Sequence, residues 1–154
     1  TIEKIKNRGH RFSLAVIGEN FSHKPEIFEK AKIIFKNEIV QWGFLESLDD
    51  YAKWLWKADI LPVTSNQEFF GASVIEAIYC NTWPVLPNRL TYPELICKDF
   101  HNDIIYNSEI ELYDKVIWAM QNRKVIKKSK IFDTVSKYDW SEIFPIYDRV
   151  FEKL

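Results

Sequence analysis

"ILPVTSNQEFFGASVIEAIYCNTWPVLP", residues 60–87, decides the fold. Its first part, ILPVTS (60–65), is a short apolar run with the look of a strand. NQEFF (66–70) is a loop, polar at its start. A helix-like apolar run begins near Gly71 and carries Glu76, and WPVLP (83–87) is a second strand. Strand, loop, helix and strand in this order make the chain cross back over the sheet, so a parallel arrangement is expected.

The alternation continues on both sides. RFSLAVIGE (11–19) reads as a buried strand ending at Gly18. PEIFEKAKIIFK (25–36) keeps apolar residues at 27, 28, 31, 34 and 35, a helical spacing, with Pro25 at its first position. NEIVQWG (37–43) is a strand stopped by Gly43. SLDDYAKWLWKAD (47–59) is a helix with a buried stripe at 48, 51, 52, 55 and 58; Ser47 and Asp50 resemble a capping box. NDIIYN (102–107) is a candidate strand. SEIELYDKVIWAMQN (108–122) opens with a second capping box, Ser108 and Glu111. A basic helical stretch follows, and a last helix gathers 143, 144, 147, 150, 151 and 154 on one face, its start obscured by Pro145. The pattern calls for an α/β fold: a Rossmann-like parallel sheet of about five strands with helices on both faces. The strand at 60–65 is expected to be central. Ligands of such sheets bind at the carboxyl ends of the strands, where residues 66–71 fall.

Bulk properties narrow the classes. The 154 residues suit one domain, 47% of them are hydrophobic, and the net charge is −1. Disorder is excluded, and no overall charge draws the chain to nucleic acid or membrane. Cys80 and Cys97 match no metal or redox spacing, and a reducing cytosol suits them, so a cytoplasmic location is expected. No apolar run reaches membrane-spanning length. The opening TIEKIKNRGH has no signal-peptide character and looks like a chain entered partway through a helix.

The loop has its own chemistry. The first free N–H groups of a helix attract anions, phosphates above all, and Gly71 lets a ligand approach the backbone. Glu68 stands just before those amides, and Glu76 lies about a turn and a half inside the helix. A carboxylate accepts both hydroxyls of a vicinal diol. A phosphate at the helix start with hydroxyls on either side outlines a nucleotide sugar. Against this, two acidic residues eight apart arise readily by chance among 22.

The residues carry a family pattern beyond their spacing. EFFGASVIEA resembles the E-x-F-G-x-x-x-x-E-A signature of the retaining GT-B glycosyltransferases of group 1, also called family 4. TSNQEFFGASVIEAIYCNTWPVLPNRLTYPELI (64–96) resembles more closely one branch, the tRNA-queuosine mannosyltransferase-like proteins. SLAVIGENFSHKPEIFEKAK, VQWGFLESLDDYAKWLWKADI and YDWSEIF extend the likeness over most of the chain. The resemblance implies the C-terminal, donor-binding half of a GT-B enzyme. Glu68 would be the catalytic carboxylate, touching the transferred sugar and favouring positive charge at its anomeric carbon. The backbone of Phe70, Gly71, Ala72 and Ser73 would meet the diphosphate and sugar, and Glu76 the ribose hydroxyls. Gly43, Phe44 and Leu45 match the base-binding loop. The reaction would retain configuration without a metal or other cofactor. For the queuosine branch the donor is GDP-mannose and the acceptor is queuosine in tRNA.

The sequence departs from the family at one point. The strand-loop whose Arg and Lys grip the diphosphate has no counterpart, and Lys4, Lys6 and Arg8 precede the first strand in a helix-like run. The N-terminal acceptor domain is absent too. Residues 1–154 are therefore expected to be a single nucleotide-sugar-binding domain, part of a larger enzyme and inactive alone. Asn66 and Arg89 are further candidates in the cleft, with Arg89 alternatively bracing a loop. Glu94 reads as a helix cap, and His10, His23 and His101 form no ligand set. The run from Arg123 to Lys130 either touches tRNA phosphates or is a solvated helix face. Two other functions remain open: a family 4 enzyme acting on a polysaccharide or lipid acceptor, and a non-catalytic Rossmann-type nucleotide-binding domain.

Overall fold

The computed structural model describes residues 1–18 and 25–153. Glu19 of the first expected strand, His23 and Leu154 lie outside the described residues. The chain forms two units, Thr1–Trp54 and Leu55–Leu154.

In the first unit, α1 (Ile2–Asn7) buries Ile5 and holds the Lys6 ammonium against Glu38 at 2.9 Å and against the Ile34 carbonyl. β1 (Leu14–Ile17) pairs in parallel with β2 (Ile39–Gly43), Ala15 facing Gln41 and Val16 facing Trp42. Between them runs α2 (Glu26–Ile34). Pro25 is the residue just before this helix and not its first turn, because its ψ of 137° is extended. The inner side of α2 holds Ala31, Ile34 and the buried Phe35, which meets Phe12 edge-on at 6.3 Å, whereas Ile27 and Phe28 are exposed. α3 (Leu48–Lys57) starts where the Tyr51 N–H donates to the Ser47 carbonyl. Asp50 of the expected capping box takes Lys53 at 2.8 Å, and Leu48 of the expected stripe is exposed.

In the second unit, β3 (Ile60–Pro62), β4 (Trp83–Pro87) and β5 (Ile105–Tyr106) form a parallel sheet in that order. Ile60 faces Trp83, and Leu86 faces Ile105. Within this sheet β4, not β3, is the middle strand, and every residue of it is buried, as a continuous apolar run covered on both faces should be. Pro84 costs no ladder bond. The Trp83 N–H donates to Asp59 and the Val85 carbonyl accepts from Val63, so residue 84 turns its nitrogen away from β3.

Between β3 and β4 lies α4 (Ala72–Tyr79), with Val74, Ile75, Ala77 and Ile78 buried. It ends where Asn81 turns into the left-handed region (φ 61°) and the Thr82 N–H reaches back to the Ala77 carbonyl at 2.9 Å. α5 (Tyr92–Leu95) and α6 (His101–Ile104) lie between β4 and β5. The strand expected over 102–107 thus keeps only its end, since His101–Ile104 is helical. α7 (Glu109–Gln121) is capped as expected: Ser108 Oγ accepts the Glu111 N–H at 3.2 Å, and Glu111 Oε2 accepts the Asn107 N–H at 2.8 Å. α8 (Arg123–Lys127) follows.

The last helix, α9 (Trp140–Phe151), begins at Asp139, whose Oδ1 accepts the Ser141 N–H at 2.8 Å, and it continues through Pro145. Its apolar face is not buried: Phe144, Tyr147, Val150 and Phe151 are exposed.

Among the described residues, strands paired in parallel within sheets of two and three, with helices between them, give the mixed α/β, Rossmann-like architecture expected from the alternation.

Candidate active site

The β3-to-α4 loop is built around Glu68. Past Val63, whose N–H makes the last bond to β4, the chain leaves the sheet. Three residues beyond Ser65 the Glu68 side chain curls forward over its own turn. Its Oε1 accepts the N–H groups of Phe69 at 3.0 Å, Phe70 at 3.3 Å and Gly71 at 2.9 Å. These donors, the Gly71 N–H foremost, hold its carboxyl below the usual carboxylate range, so Glu68 is ionised at neutral pH.

Gly71 makes this turn possible. Its φ of 86° belongs to the left-handed region, and a Cβ there would stand 2.6 Å from Leu95 Cδ1. The Gly71 carbonyl then accepts the N–H groups of Val74 and Ile75, both at 3.0 Å. The Ala72 and Ser73 N–H groups have no acceptor among the described residues, and both residues are exposed. They are the anion-attracting end of α4.

Glu76 is exposed and lies one turn on, three residues from Ser73 and four from Ala72, on the same face of the helix. Its charge helps to raise the Cys80 thiol, after the larger effect of burial. Glu76 and two open amides thus share one face of α4, and Glu68 is bonded to the amides just before its first turn. Glu68 also has a second oxygen, Oε2, that accepts from no donor among the described residues.

The other candidates fall as follows. Phe69 is 95% exposed, while Phe70 meets Tyr138 edge-on at 5.4 Å. Asn66 is exposed beside the loop. Arg89 donates from Nε to the Ser65 carbonyl and from Nη2 to the Thr64 carbonyl, each at 3.0 Å, which is the bracing alternative. Gly43 ends β2 in the first unit, and Phe44 and Leu45 follow it. Gly43 has a φ of 104° and accepts the Gly18 N–H at 3.3 Å; Phe44 is exposed and Leu45 half-buried.

Two supports of the loop carried no sequence signal of their own. The Tyr106 hydroxyl donates to the Val63 carbonyl at 2.7 Å. The Tyr79 hydroxyl donates to Asp139 Oδ2 at 2.6 Å and ties the YDWSEIF segment to α4. The hydrogen bonds from the Ser141 side chain, from Tyr79 and from the Ser141 N–H pull Asp139 down to about 2.

The basic run is partly structural. Arg123 and Lys127 pair with Asp59 at 2.7 and 3.4 Å, leaving Lys124, Lys128 and Lys130 exposed. Glu94 is exposed in the first turn of α5, and His101 Nε2 lies 3.0 Å from the carbonyls of Pro93 and Ile96. Among the described residues no helix is long and apolar enough to cross a membrane.

The loop between β3 and α4 thus sets an ionised Glu, a left-handed glycine and a second Glu around the head of a helix. The chain belongs to the glycosyl transferases group 1, whose family model matches residues 1–136. It is 29% identical over 157 residues to the tRNA-queuosine alpha-mannosyltransferase of Drosophila melanogaster. That alignment takes in 99% of this chain and 40% of the fly protein's length.

Proposed function

We propose that this chain is the donor-binding part of a retaining glycosyltransferase that moves mannose from GDP-mannose to queuosine in tRNA. The observation that carries the reading is the Glu68 carboxylate. It is anchored through Oε1 to three amides, with Oε2 free, beside the open Ala72 and Ser73 N–H groups. The diphosphate meets those amides and the start of α4. Glu76 receives the ribose hydroxyls. Oε2 of Glu68 takes a hydroxyl of the mannose.

In the step itself the bond from the anomeric carbon to the diphosphate oxygen breaks, and its electron pair leaves with GDP. An acceptor hydroxyl bonds to that carbon on the face the diphosphate leaves, so configuration is retained, and its proton passes to the departing diphosphate. Positive charge grows on the sugar as the bond lengthens, and the negative charge of Glu68 stabilises it more in the transition state than in the bound donor. The scheme calls for no metal.

The likeness to the fly enzyme supports the choice of mannose and of a tRNA acceptor. In the proposed whole enzyme an acceptor domain and the diphosphate-gripping cations come from outside residues 1–154. The test is mass spectrometry of nucleosides from total tRNA of a strain lacking the full-length gene. Loss of mannosyl-queuosine supports the reading. An unchanged profile, with GDP-mannose still bound by the purified protein, moves the acceptor to a polysaccharide or lipid.

A further inference from the structure

We infer that Arg89 and Tyr106 are positioning residues that set the loop carrying Glu68. The inference rests on the glycosyl-transfer reading above and adds two side chains to it.

Val63, Thr64 and Ser65 leave the sheet in succession, and each of their carbonyls is taken by a side chain. Tyr106 OH donates to Val63 at 2.7 Å, Arg89 Nη2 to Thr64 at 3.0 Å, and Arg89 Nε to Ser65 at 3.0 Å. The two donors come from different strands. Tyr106 is buried at the end of β5, and Arg89 follows β4. They are also fastened to each other's strands, because the Asn88 N–H donates to the Tyr106 carbonyl at 2.8 Å.

The clasp matters because the Val63 N–H makes the last bond to β4 and the chain past it has left the sheet. A backbone past its last ladder bond is free to sample many conformations, and each fixed residue costs conformational entropy. Here the loop is held on its strand side by three carbonyls and on its helix side by the three amides that Glu68 accepts. Glu68 lies between these two sets of bonds. Misplacement of a reacting group by about 1 Å costs about a hundredfold in rate. The guanidinium suits the task, since one edge of its planar fork spans two successive carbonyls, which a single ammonium does not. That edge is occupied by the loop, and through it Arg89 acts on the donor by way of Glu68.

The test compares Arg89→Gln, Arg89→Lys and Tyr106→Phe in the full-length protein. Arg89 is exposed and Tyr106→Phe removes only a hydroxyl, so the variants are expected to fold; melting curves check this. Hydrogen exchange of the amides of residues 64–71 should quicken in Arg89→Gln and Tyr106→Phe. Turnover in Arg89→Gln should fall about tenfold, with the donor KM and the affinity for GDP within about threefold of wild type, since the loss acts through geometry. Arg89→Lys, reaching one carbonyl of the two, should fall between. Unchanged exchange, or quickened exchange with unchanged turnover, overturns the inference. So does a loss of GDP affinity beyond about tenfold in Arg89→Gln, which would make the guanidinium a ligand of the diphosphate. If the wild-type protein transfers no sugar, the glycosyl-transfer reading has failed instead, and the exchange data alone decide whether the clasp sets the loop.

Discussion

Replacing Gly71 by alanine tests the turn on which the site depends. Two costs are visible in the geometry. At a φ of 86° an L-residue is in the left-handed region, which costs about 1–2 kcal/mol. The new Cβ would lie 2.6 Å from Leu95 Cδ1 and 3.9 Å from Tyr92 Cε1. Leu95 is 4% exposed and Tyr92 fully buried, so neither side chain has solvent to retreat into. Forcing a methyl into such packing costs about 1–3 kcal/mol. Together Gly71→Ala should destabilise by about 2–5 kcal/mol, read as a lower urea midpoint at unchanged slope. Tryptophan fluorescence is a convenient signal, since the chain has six of them, Trp83 buried. A cycle with Leu95→Ala separates the two costs. Shortening Leu95 removes the clash and leaves the torsional cost, so the pair should show a favourable coupling of about 1–3 kcal/mol. A Gly71→Ala variant within about 0.5 kcal/mol of wild type, or a cycle without coupling, would refute the geometry of this turn.

Two other predictions concern charge. Glu68→Gln keeps a carbonyl to accept the three amides but loses the charge, so the fold should hold while kcat falls by about 10²-fold or more; Glu76→Ala should instead raise the donor KM with kcat nearly unchanged, because ribose is held equally in ground and transition states. Steady-state kinetics of the full-length protein distinguish them, and the opposite pattern would exchange the two roles. Asp139, drawn from 3.8 to about 2 by Ser141 and Tyr79, should stabilise fully at pH values above the ordinary carboxylate range and lose that contribution as the pH falls towards 2. Melting temperatures of wild type and Asp139→Asn should therefore converge in acid, and a gap that stays constant would count against this.

Much of the fold was legible because its signals are local. β4 announces itself as an unbroken apolar run, and the α7 cap as Ser108 with Glu111. What escaped depends on contacts distant in sequence. β5 is two residues long and follows directly on a helical turn, too short for any periodicity to register. The apolar face of α9 was legible as a stripe, but periodicity reports amphipathic character and not what covers it, and the stripe is exposed. At the site, Glu68, Gly71 and Glu76 stood out in the sequence. Arg89 was legible as a possible loop brace, but its partner Tyr106 was not, because the acceptor is a backbone carbonyl, which every residue carries. Nor does sequence reveal that Glu68 already occupies amides in its own turn.

That occupancy has an electrostatic consequence. The family resemblance assigns the backbone of Phe70, Gly71, Ala72 and Ser73 to the donor, yet the Phe70 and Gly71 N–H groups are bound to Glu68, leaving Ala72 and Ser73 open. A diphosphate arriving there meets an ionised carboxylate nearby. Two unit charges about 4 Å apart repel by about 1 kcal/mol in water and about 4 kcal/mol near a protein surface. The start of α4 offers the equivalent of about half a positive charge, worth about 0.3–1 kcal/mol at an exposed site. The balance is unfavourable unless a cation joins it. Arg89 is a poor candidate, since its Nε and Nη2 already serve the loop. The diphosphate-binding Arg and Lys of the proposed whole enzyme would supply the missing charge. Residues 1–154 alone should therefore bind GDP and GDP-mannose far more weakly than the full-length protein, by several kcal/mol for two charge-assisted contacts to phosphate. Added divalent metal should not restore the affinity. Calorimetric titration of both forms, with and without magnesium, is the measurement. Equal affinities would mean that the diphosphate finds its counter-charge within these residues, and tight binding only with metal would contradict the metal-free scheme.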